Sequence, residues 1–96
     1  MKMLLIIHNS AIEDEVMEFL KDEGISSYTC WKQVTGVGKI SGPHLDSHIW
    51  PAVNSVLAIA LKDNQKNDLI SGMKKMKEKF AKEGVKAFVL PLEEEV

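Results

Sequence analysis

A chain of 96 residues, 45% hydrophobic and 27% charged, has the size and balance of one soluble globular domain and excludes a disordered polypeptide. Its net charge of −2 gives no electrostatic footing for nucleic acid, and all twelve basic residues are lysine, so any anion site must work without the guanidinium fork. The one cysteine, Cys30, excludes an intrachain disulfide and fits a reducing cytoplasm, while the apolar N-terminal run is too short for a signal peptide or a membrane span.

Residues 3–7 (MLLII) form a continuous apolar run of strand length. Ser10 stands three residues before Glu13, the spacing of a capping box, and Ile12, Val16, Phe19 and Leu20 follow at helical spacing until Gly24. Residues 25–34 hold Ile25, Tyr28, Thr29, Trp31 and Val34, types suited to a second strand. The stretch TGVGKISGPHLDSHIWP, residues 35–51, is rich in glycine and proline and follows no period, so it is expected to be a long connection. Residues 53–61, centred on VLAIAL, predict a third strand. Asp63 is placed to cap a second helix, which carries Leu69, Ile70, Met73, Met76 and Phe80 on one side and ends at Gly84. Residues 86–92 (KAFVLPL) complete the set as a fourth strand before an acidic end.

The order βαββαβ predicts an α+β, ferredoxin-like domain: a four-stranded antiparallel sheet with two helices on one face. A weak internal echo agrees, since Phe19 to Gly24 and Phe80 to Gly84 close the two helices alike. Strands one, three and four are apolar at consecutive positions, as if both sheet faces were buried. Two helices cover one face only, so the other is expected to meet further copies of the chain.

The long connection holds most of the unusual chemistry. Gly36, Gly38 and Gly42 suit a backbone that approaches a ligand closely, with Lys39 adding positive charge, although a plain mobile turn has the same composition. His44 and His48 are four apart with Asp46 between them, a spacing that suits a divalent metal if that stretch is helical; two exposed loop histidines are the plainer expectation. His8 reads as a strand-end polar residue and Cys30 as a packed side chain, while Trp31 and Trp50 read as core or subunit-contact residues. The lysines of the second helix read as a solvated face. No nucleophile with an evident base emerges, so the chain is read as not an enzyme.

Two stretches resemble one known family. VTGVGKISG, residues 34–42, is similar to the V-K-G-F-G-R-Q-K-G opening of the T-loop in the PII signal-transduction proteins, and KAFVLPLEE, residues 86–94, is similar to their K-I-F-V-L-P-V-E-E strand. The resemblance implies a single PII-like domain over residues 1–96, with a T-loop-like connection at about 35–53. It further implies a cytoplasmic homotrimer of the nitrogen-regulation type, which holds a small ligand in clefts between subunits. Its loop would regulate a partner protein such as a transporter or an enzyme. Gly36, Gly38 and Lys39 would line the cleft from one side and Lys86 from the other. The ligand is left open, an adenine nucleotide being the one the resemblance implies. Four positions of these motifs depart from the pattern: the family's arginine is Lys39, its glutamine is Ile40, and both glycines of its G-x-G-K are changed, the stretch reading Glu83, Gly84, Val85, Lys86. The alternative is a protein similar to the divalent-cation-tolerance (CutA) family, binding metal through His44 and His48.

Overall fold

The structure, a computed structural model, describes residues 1–37 and 52–96. It contains β1 (Lys2–Asn9), a 3-10 turn (Ser10–Ile12), α1 (Glu13–Asp22), β2 (Thr29–Gly36), β3 (Ala52–Leu61), α2 (Asp63–Lys79) and β4 (Val85–Pro91). The strands form one antiparallel sheet in the order β2-β3-β1-β4. This is the ferredoxin-like βαββαβ arrangement expected from the sequence.

Alternation along the strands divides the sheet into two faces. Leu4 and Ile6 of β1 and Leu57, Ile59 and Leu61 of β3 are almost fully buried, and they pack with Val16 and Leu20 of α1 and Leu69, Met73 and Met76 of α2. Both helices therefore cover the same face. Close packing between them depends on Gly72, because a Cβ at that position would run into the ring of Phe19.

The helix starts differ from the sequence reading. Asn9, not Ser10, caps the first turn, its side chain accepting from the Ala11 N–H at 2.8 Å. The 3-10 turn then delays α1 to Glu13, which releases the Glu13 carboxylate from a capping box. Lys62, not Asp63, is the cap residue of α2: its N–H donates to the Gln65 side chain and its carbonyl accepts from the Gln65 N–H, both at 3.0 Å.

α1 stops just before Gly24 as expected, whereas α2 ends sooner than expected, at Lys79 with Phe80 as its cap, and Gly84 closes the turn that follows. Gly24 (φ +76°) and Gly84 (φ +95°) take left-handed conformations that a side chain disfavours, and each is followed by a buried residue, Ile25 or Val85. Ile25 belongs to this exit and not to a strand, since its N–H donates to the Leu20 carbonyl at 2.9 Å. β2 therefore begins at Thr29, later than expected. The strands also reach into the expected connection at both ends, with Thr35 opposite Val53 and Gly36 opposite Ala52. The remainder of that connection, 38–51, lies outside the described residues.

Gly72→Ala is expected to lower stability by about 1–3 kcal/mol through overpacking against Phe19, despite alanine's better helix propensity. Urea unfolding checks this, with the combination of Gly72→Ala and Phe19→Leu expected to be more stable than the sum of the single effects.

Candidate functional site

The end of β1, the end of β2 and the starts of β3 and β4 converge at one end of the sheet. Asn9 is the junction: it pairs with Asn54 of β3, its N–H donates to the Gly84 carbonyl at 3.1 Å, and its side chain caps the turn that follows. Gly36 sits at this end on one edge strand, where an added Cβ would meet the Asn54 side chain at 3.1 Å. Lys86 sits at the same end on the other edge strand, exposed and opposite Ile7.

The structure thus brings Gly36 and Lys86 to one end of the sheet but not into contact. Three strand-to-strand steps separate the edges, which at about 4.8 Å each is about 14 Å. A ligand touching both must span that width or draw on two copies of the chain. Gly38, Lys39, His44, His48 and Trp50 lie outside the described residues. Among the described residues, no group of three histidine, cysteine or acidic side chains is placed to hold a metal ion.

The turn ahead of β4 is reshaped by burial. Val85, at the second glycine of the G-x-G-K pattern, is 6% exposed and belongs to the core. Its side chain points under α2, so only Gly84 and the flanking exposed residues face solvent there.

His8 departs from its expected role. It is 1% exposed, on the helix-covered face between Ser55 and Val85. Its Nδ1 lies 2.9 Å from the Asn9 carbonyl oxygen, and its Nε2 has no hydrogen-bond partner among the described residues. The alternation of β1 forces this, because position 8 falls on the same face as Leu4 and Ile6. Cys30 packs against the core as expected. Trp31 is not in the core; it stands half exposed on the face that the helices leave open.

That open face is apolar across all four strands. Met3, Leu5 and Ile7 of β1 lie on it with Val56 and Ala58 of β3, and it carries Trp31, Phe88 and Leu90 at 51%, 45% and 43% exposure. The residues that sequence reasoning missed are Glu13, Lys32 and Ser55. Ser55 donates its hydroxyl hydrogen to Glu13 Oε1 at 3.1 Å, and Lys32 Nζ lies 3.4 Å from Glu13 Oε2. Their separations along the chain carry no local pattern, and the Ser10–Glu13 spacing suggested another role for the carboxylate.

The family model of nitrogen regulatory protein P-II matches residues 1–96. Among solved structures, CPII from Thiomonas intermedia K12, described as a nitrogen regulatory PII-like protein bound to ADP, AMP and bicarbonate, superposes with a TM-score of 0.71 at 19% identity. That match covers 92% of this chain and 84% of that one. A second structure of CPII with the same ligands gives a TM-score of 0.70 at 21% identity, covering 93% and 88%. A putative PII-like signaling protein from Thermus thermophilus gives 0.64 at 23% identity, covering 92% and 82%. At these identities the likeness is one of fold. No curated protein matches the chain at a significant level.

Because Val85 fills core space, Val85→Gly is expected to lower stability by about 2–4 kcal/mol, combining a lost buried side chain with added backbone freedom. Thermal unfolding beside the wild type measures it.

Proposed function

The chain belongs to the nitrogen regulatory protein P-II family, and on that premise we propose a trimeric regulatory protein that takes an adenine nucleotide in clefts between subunits. The whole of residues 1–96 forms one domain, and the connection between β2 and β3 carries the signal to a transporter or an enzyme in the cytoplasm.

The observation that carries this reading is the open sheet face. Monomers rarely leave a contiguous apolar patch of this kind in water, and a patch spanning all four strands is best covered by further copies of itself. Trp31 and Phe88 supply aromatic area of the kind that dominates such contacts. Copies packed on these faces bring edge strands of neighbouring chains together, which supplies the second wall that the separation between Gly36 and Lys86 requires.

The ligand class follows from chemistry and analogy. CPII holds ADP, AMP and bicarbonate, and all three are anions. In an arginine-free chain an anion site rests on lysine and backbone N–H groups. Lys86 supplies the charge from β4, while Gly36, Gly38 and Lys39 supply close backbone approach and charge from the far end of β2. The role is regulatory and not catalytic, since Cys30 is packed against the core and the buried His8 is held away from solvent. No helix of the described residues is long and apolar enough to cross a membrane.

Calorimetric titration with ADP, AMP and ATP, beside a light-scattering mass, tests the reading. A trimer that binds one of the three, with Lys86→Ala weakening it by about ten-fold or more, is the expected result. A monomeric mass, or a trimer indifferent to all three nucleotides, overturns the corresponding half. Phe88→Glu, which places a charge on the open face, is expected to convert the trimer to monomer.

A further inference from the structure

Glu13, in the first turn of α1, touches two neighbouring strands through its two carboxylate oxygens. Oε1 accepts the hydroxyl of the buried Ser55 on β3, and Oε2 meets the ammonium of Lys32 on β2. Both contacts fall at the one irregular place in the described sheet. Trp31 pairs with Val56, but the next pair is Val34 with Asn54, so Lys32 and Gln33 together face the single residue Ser55. The extra residue makes a β-bulge. Gln33 takes φ +59°, and it is the one non-glycine residue with a positive φ among the described residues. That conformation is disfavoured for an L side chain and persists where the surroundings enforce it.

The bulge has a consequence further along the strand. It shifts the pairing of β2 with β3 by one residue, and a one-residue shift turns each later side chain to the opposite face. The register beyond the bulge is the one that sets Gly36 opposite Ala52.

We propose that Glu13 is a positioning residue that clasps this bulge from both sides and so selects the register in which β2 delivers Gly36 to the connection. Ser55 is the residue the bulge must oppose, and Lys32 is the first residue of the bulge itself. One rigid carboxylate holding both keeps two strand residues against one. The location suits the group, since a negative charge in the first turn of a helix is favoured by the helix dipole. The Glu13 side chain is 28% exposed and Lys32 67%, so solvent screens the ion pair in part and leaves a local effect, not a global one. Only the importance of Gly36 for a ligand rests on the proposed function; the clasp and the register stand without it.

Amide hydrogen exchange followed by NMR on the full chain tests this. Glu13→Gln keeps an acceptor for Ser55 and removes the charge; Lys32→Met removes the ammonium and keeps the stem; Lys32→Arg preserves the pair. The first two are expected to speed exchange over residues 34–36 by about two- to five-fold, with β1 and β4 unchanged and Lys32→Arg at the wild-type rate. Unchanged exchange over residues 34–36 in either charge-removing variant, or a rise shared equally by all four strands, overturns the proposal. No ligand enters this measurement, so a chain that binds no nucleotide still decides it. Lost nucleotide binding with wild-type exchange counts against the proposed function alone.

Discussion

β1 is the constraint from which the other parts follow. It has a strand on each edge, β3 and β4, and its side chains alternate between a helix-covered face and an open one. Leu4 and Ile6 give the helices their floor, and Met3, Leu5 and Ile7 give the open face its centre. A central strand apolar on both sides cannot be satisfied by two helices alone. The same eight residues that anchor the core therefore also create the demand for a second layer.

The end of β1 organises the candidate site in the same way. Asn9 stops the strand, caps the turn into α1, and donates to the Gly84 carbonyl, so the exit from α2 is tied to the entry into α1. The turn that follows each helix closes on a left-handed glycine and then a buried aliphatic residue. At the second of these turns the aliphatic residue displaces a glycine of the family pattern. At Val85 packing in the core of this small domain takes the place of a glycine's backbone freedom.

His8 illustrates how alternation overrides side-chain type. Strand geometry carries it inward beside Ser55, where one ring nitrogen meets the neighbouring carbonyl. Ser55 is buried opposite it, and its hydroxyl donates to the Glu13 carboxylate. A polar layer thus lies under the start of α1, between the apolar core and the site end of the sheet. It links the first turn of α1 to the bulge in β2 through contacts made on the helix-covered side.

The sequence by itself determined the element order, the ferredoxin-like class, the glycine that ends α1 and the apolar character of both sheet faces. Each of these is written in short-range pattern: runs of strand length such as MLLII and VLAIAL, helical spacing from Ile12 to Leu20, and Gly24 at positive φ. The family motifs around Gly36 and Lys86 were legible for the same reason, being contiguous stretches. Only the tertiary structure decided which of Asn9 and Ser10 caps, that Val85 is core, that His8 is buried, and that Gly36 and Lys86 occupy opposite edges of the sheet. It alone revealed the bulge and its Glu13 clasp. These depend on register and on contacts between residues far apart in the chain, such as Glu13 and Ser55, and neither propensity nor local spacing encodes how strands align across a sheet.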